Sequence, residues 1–235
     1  MADLETPNTP DSPYLARGVG ATEQLGRPLF TGDVFQVGQR TVALVQHPCA
    51  LRRGTELNPR LLVAEVAPWR GRVRDDWATG DFKRMFLENA DQLGTTWSIE
   101  FDRVDVVEAS LLQATDRVII LSQPGINLLL QRWLYHNSRT VVPTITVNAQ
   151  MAGPFAEAEL IQEVAFEFEL AGRPHAEAVE WVDSWLSNPQ EGGAATPRRV
   201  LLNADQARSS VRSSLRNEIR LLLAPDKTDS ESPSG

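Results

Sequence analysis

The chain has 235 residues, 42% hydrophobic and 23% charged, enough for one large domain or two small ones with a real core. Its 23 Lys and Arg stand against 31 Asp and Glu, a formal charge of −8 that disfavours a surface built wholly around nucleic-acid phosphates or anionic lipid. One cysteine excludes an internal disulfide, three histidines leave few ligands for a structural zinc, and no apolar run reaches the roughly 18 residues of a membrane span.

Met1 to Pro13 is acidic and Pro-rich, unlike a secretory signal, so a cytoplasmic location is expected. The ratio of 21 Arg to 2 Lys fits a GC-rich bacterial genome. Residues 1–28 read as a flexible tail, because the opening segment has too few apolar residues to offset its ordering entropy. Strands follow. Asp33 to Val37 alternates, and Thr41 to Val45 is a β-branched and apolar run after Gly38-Gln39, which together predict a hairpin. Leu61 to Val66 is a further strand between Asn58-Pro59 and Pro68, and Trp97 to Phe101, Val104 to Val107 and Arg117 to Leu121 add three more. Phe82, Met85, Phe86 and Ala90 lie at helical spacing, so Gly80 to Ala90 predicts an inserted helix. Ser122 is an N-cap with Pro124 in the first turn, and Ile126, Leu129, Leu130, Trp133 and Leu134 give the helix that follows one broad apolar face ending near Asn137.

The pattern changes near Pro143 to Pro154, and beyond it the chain is helical with segregated charge. Gln150 to Leu186 carries eight acids against one base, whereas Arg198 to Arg220 carries six bases against two acids. Leu160, Ile161, Val164 and Phe168 form one inner stripe, Gly172 and Pro174 punctuate, and Trp181 and Trp185 share a face of the next helix. Asn203 is expected to cap a last helix with Val211, Leu215, Ile219 and Leu222 as its apolar stripe. Pro225 to Gly235 lacks apolar residues apart from its Pro and is expected to be disordered. The expected fold is α+β: a small SH3-like β-barrel domain with an appended helix over 29–142, an α-helical segment over 150–224, and a disordered tail over 225–235.

Three short motifs carry a family resemblance. Gly32-Asp33-Val34-Phe35, Arg40-Thr41-Val42-Ala43-Leu44-Val45 and Leu62-Val63-Ala64-Glu65-Val66-Ala67-Pro68, followed by a strand, turn, strand and helix over Phe101 to Tyr135, resemble the PemK/MazF-type toxin family over residues 32–137. The resemblance implies an SH3-like barrel and metal-independent cleavage of RNA, with Arg40 polarising the scissile phosphate. Two positions depart from the family pattern. Thr41 replaces the proline after the arginine, and Ala67-Pro68-Trp69-Arg70 offers no hydroxyl residue where the family places its catalytic one.

His47 and Cys49 flank Pro48, and residues two apart on an extended strand share a face, so the pair is a candidate nucleophilic dyad. Arg40, His47 and Cys49 are therefore the candidate catalytic residues. Arg70, Arg72 and Arg74, flanked by Trp69 and Trp77, could grip single-stranded nucleic acid through phosphate contact and base stacking, and Arg212 and Arg216 could hold RNA or an acidic partner. The simpler expectation for the helical charges is a bundle with acids and arginines facing at its rim. No phosphate loop, HExxH, GxSxG or dinucleotide fingerprint occurs, and neither cofactor nor metal is expected. On balance the residues favour a non-catalytic interaction or regulatory module, with a protein partner or a second copy of the chain as its ligand. The endoribonuclease and a cysteine-dependent enzyme are the alternatives.

Overall fold

The computed structural model describes residues 4–5, 16–19, 26–53, 56–71, 82–88, 96–189 and 195–224. Its strands are β1 (Ala16–Gly18), β2 (Val34–Val37), β3 (Arg40–Leu44), β4 (Arg52–Arg53), β5 (Glu56–Leu57), β6 (Arg60–Trp69), β7 (Arg84–Leu87), β8 (Thr96–Glu108) and β9 (Arg117–Leu121). Seven form one sheet in the order β1-β9-β2-β3-β6-β8-β7, with every neighbouring pair antiparallel, while β4 and β5 make a separate ladder. The predicted hairpin is β2–β3, with Val34 opposite Ala43 and Val37 opposite Arg40. Strand β6 continues through Pro68, which sits opposite Trp97, and the two strands expected between Trp97 and Val107 are one, β8. Glu100 and Val104 face consecutive residues of β6, so Phe101, Asp102 and Arg103 bulge out and bend the sheet there.

The fold class is α+β, as expected. A closed barrel is not what these strands make: among the described residues the sheet is open, with β1 and β7 as its edges. The helix expected over Gly80 to Ala90 is also corrected, since Arg84–Leu87 is the edge strand β7, paired to β8 through Met85 and Ile99. Met85, Phe86 and Leu87 are all buried, and a run covered on both faces carries no period to separate strand from helix. Within 1–28, the segment read as a flexible tail, Ala16–Gly18 pairs with β9 and Leu4 is buried.

The helices are α1 (Gln123–Ser138), α2 (Thr144–Leu170), α3 (His175–Ser187), α4 (Arg198–Leu201) and α5 (Asp205–Leu222). Ser122 caps α1 as predicted, its hydroxyl accepting from the Gly125 N–H at 3.3 Å. Helix α2 starts before Pro154 and runs through it, joining what the sequence divides. Its Val147, Met151 and Ala158 pack in the sheet core, while its Ala156, Leu160, Val164 and Phe168 pack in a second core with α3, α4 and α5. Asn203 is not the cap of α5, because that place falls to Ala204, and the Asn203 amide donates to the Val200 carbonyl instead. The Asn203 side chain lies against Gly153, where a Cβ would come within 2.2 Å of its Oδ1, so a larger residue there would displace the Asn203 amide.

The Gly32-Asp33 pair is structural. Gly32 has φ 87°, and a Cβ there would come within 2.9 Å of Leu121 Cδ1. Asp33 is fully buried, with Oδ2 accepting from the Phe30 N–H at 2.9 Å and lying 3.2 Å from Arg117 Nε, while Oδ1 lies 3.4 Å from Arg27 Nε. Burial pushes the Asp33 carboxyl above its ordinary value, against the pull of Arg27, Arg117 and the Phe30 N–H. Arg117 is fully buried as well, and its Nη2 donates to the Arg27 carbonyl at 3.0 Å. This cluster ties the segment before β2 to β9 through the middle of the sheet core.

Candidate functional site

The chain leaves β3 at Leu44 and turns through a single 3-10 turn, Pro48–Ala50. Proline suits the first position of such a turn because its missing N–H would have no partner there. His47 is the cap. Its Nδ1 accepts from the Cys49 backbone N–H at 3.3 Å, and burial holds the imidazole below its ordinary pKa, in the neutral form that this bond needs. An acceptor Nδ1 places the ring proton on Nε2. The ring nitrogen nearest Cys49 is thus engaged by main chain, while the Cys49 side chain is exposed.

Arg40 stands at the other end of β3, beside the hairpin turn. Its Nη1 donates to Asp105 Oδ2 on β8 at 3.0 Å, and that bond holds the Asp105 carboxyl below the usual carboxylate range. Four steps of extended strand lead from Arg40 to Leu44, about 13 Å at roughly 3.3 Å per residue, before the chain reaches His47. The structure therefore brings His47 and Cys49 together and leaves Arg40 apart.

The Cys49 turn forms one wall of a cleft of about 440 Å³ between the sheet and the helices. Phe30, Leu51 and Ile161 give it an apolar lining, and Arg52, Glu157 and Arg199 contribute charge. Pro154, inside α2, has no N–H to offer the Gln150 carbonyl four residues back, and both residues line the cleft. Burial pushes the Arg52 guanidinium down, partly offset by Glu157. Arg199 is already engaged: it meets Glu157 through two bonds of 3.1 Å and Asp183 at 2.6 Å, and donates to the Ser187 hydroxyl at 3.2 Å. The volume falls within the roughly 300 to 1,000 Å³ of small-molecule sites, and the mixture of apolar lining and few polar groups is what such sites use.

The other predicted binding residues are dispersed. Arg70 is exposed just after β6, and Arg72, Arg74 and Trp77 lie outside the described residues. Trp69 stacks inward, with the Arg84 guanidinium 4.5 Å from its ring centroid and Phe86 at 5.3 Å. Arg212 pairs with Glu159, and Arg216 grips Glu163 with bonds of 2.5 and 3.2 Å, so α5 meets the acids of α2 through opposite charges at the bundle rim. The Glu163 contact raises the pKa of Arg216 above its ordinary value. Among the described residues no group of three or more His, Cys, Asp or Glu side chains could hold a metal ion, and no helix is long and apolar enough to cross a membrane.

Sequence reasoning missed Arg52, Gln150, Glu157 and Asn203 as cleft residues, because they come from segments about 100 residues apart with no shared motif. The one local signal was Gly153-Pro154, an interruption inside an otherwise helical pattern. No family model, curated protein or solved structure matches the chain.

Proposed function

We propose that the protein is a non-catalytic interaction module that binds its ligand in the Cys49 cleft. The observation that supports this reading is the engagement of the candidate catalytic groups by structural partners: Arg40 by Asp105, and His47 Nδ1 by the Cys49 N–H. A phosphate-polarising arginine needs its guanidinium free to face the substrate, and a thiol nucleophile needs a base facing its sulfur. The ligand suited to the cleft is a small or short extended molecule with an apolar body, which Phe30, Leu51 and Ile161 would cover. The sheet, bent at the β8 bulge and buried on both faces of β3, is an open scaffold of SH3-like type in this reading, in keeping with the PemK/MazF resemblance over residues 32–137.

The discriminating experiment is incubation of the full chain with single-stranded RNA in excess chelator. The expected result is intact RNA with the wild type and with Arg40→Ala alike. Cleavage by the wild type that disappears in Arg40→Ala would replace this reading with a metal-independent endoribonuclease.

A further inference from the structure

Leu4 and Glu5 occupy a groove at the junction of α1 and α2. Leu4 is buried, at 5% exposure. Glu5 is held at main chain and side chain together. Its N–H donates to Gln131 Oε1 at 2.8 Å, and its carbonyl accepts from Arg132 Nη2 at 3.1 Å. Its carboxylate accepts from the Thr144 N–H at 2.8 Å, from Thr144 Oγ1 at 2.5 Å and from Gln131 Nε2 at 3.1 Å. Gln131 is oriented in turn by the Val142 carbonyl at 2.8 Å.

The groove is built from groups that are expensive to bury. Gln131 and Arg132 are both fully buried, which polar side chains tolerate only when their hydrogen bonds are made. Here two consecutive residues of α1 turn those bonds onto the main chain of Glu5. Main-chain bonds of this kind give affinity that is indifferent to sequence, and selectivity then comes from the side chains. The side chain of Glu5 is met chiefly by Thr144. No side chain of the Pro143 and Thr144 turn caps α2, so the Glu5 carboxylate supplies the cap from a distant part of the chain, at the positive end of a 27-residue helix. Although burial works against ionisation, the bonds from Thr144 and Gln131 hold the Glu5 carboxyl below its ordinary range.

We propose that this groove is a peptide-recognition site for an extended segment with an apolar residue followed by Glu, that Leu4 and Glu5 hold it in a self-occupied state, and that a partner protein presenting such a segment displaces them. A tethered segment competes at an effective concentration on the order of millimolar, so only a partner with added contacts, or one present at high local concentration, takes the site. The site is separate from the Cys49 cleft, and the inference stands whether or not that cleft binds a ligand.

The test compares the full-length wild type with a full-length Leu4→Ala, Glu5→Ala variant, which frees the groove without altering its walls. A fluorescently labelled peptide copying Met1 to Pro10 is titrated into each, and binding is read as anisotropy. The variant is expected to bind saturably and at least about tenfold more tightly than the wild type, whose own segment competes. A peptide with Gln in place of its Glu should bind about tenfold more weakly, having lost the charge-assisted bonds. Should the double variant lack a cooperative melt, Glu5→Gln alone provides the same comparison, with tighter peptide binding than the wild type again expected. Equal affinities for wild type and variant, or no saturable binding to a folded variant, overturn the proposal.

Discussion

Asp33→Ala is expected to lower the stability of the fold by about 3 to 5 kcal/mol, the largest loss of any single polar substitution in the sheet core. The reason is what the substitution leaves behind. Arg117 is fully buried and Arg27 nearly so, and both face the carboxylate, which also accepts the Phe30 N–H. Deleting it strands a buried guanidinium and a main-chain donor at once, and an unpaired buried charge costs more than the ion pair itself contributes. Asp33→Asn keeps the volume and one acceptor oxygen, and should fall between Ala and the wild type. Urea unfolding of the three proteins checks the order, with the midpoint falling from wild type to Asn to Ala and the slope unchanged.

Trp185→Ala is expected to cost a similar amount, about 3 to 5 kcal/mol, without changing the molecular mass in solution. Trp185 is 6% exposed in the second core with Val182, Leu186 and Phe168, stacks on Trp181 at 6.3 Å between centroids, and lies under the Arg198 guanidinium at 4.4 Å. Arg198 is anchored independently, donating to the Trp185 carbonyl at 3.1 Å and the Asn188 carbonyl at 3.3 Å. The indole is thus internal to the chain, and its removal opens a cavity lined by three helices. Thermal melting and light scattering on the same sample separate the outcomes. A lower midpoint at unchanged mass is expected, whereas a change in mass with an unchanged midpoint would make the site an intermolecular contact.

Where hydrophobic period and punctuation agree, the elements are legible before any coordinates. The β2–β3 hairpin about Gly38-Gln39, the Ser122 cap of α1 and the turn of Gly172 and Pro174 between α2 and α3 are of that kind. The inner stripe of α2 and the Val211, Leu215 and Ile219 part of the α5 stripe follow from period, whereas Leu222 is exposed. Segregated composition foretells opposite charges at the bundle rim but not the pairs Arg212–Glu159 and Arg216–Glu163. What is not legible depends on partners far away in sequence. Met85, Phe86 and Leu87 become a strand only because β8 lies beside them, and Pro154 stays inside a helix because packing on both cores outweighs one lost hydrogen bond. Asp33 looks like a turn residue and is a buried carboxyl between two guanidinium groups, since nothing local announces Arg27 and Arg117. Alternation through His47 and Cys49 suggests a shared strand face, but Pro48 starts a 3-10 turn and converts the histidine into a cap. Glu5 lies in a stretch whose composition reads as unstructured, and its acceptors and donors are more than 120 residues away.

The separation of the candidate catalytic groups can be measured directly, because Cys49 is the single cysteine of the chain. Arg40→Cys adds a second thiol at the far end of β3, and a short bifunctional thiol reagent then reports whether the two positions converge. As a positive control, Val37→Cys with Arg40→Cys in a Cys49→Ser background places two thiols at directly paired positions of the hairpin. The predicted result is efficient cross-linking in the control and none between positions 40 and 49. Rapid intramolecular cross-linking of position 40 to Cys49 in the folded protein would contradict the separation and restore the three residues to a common site.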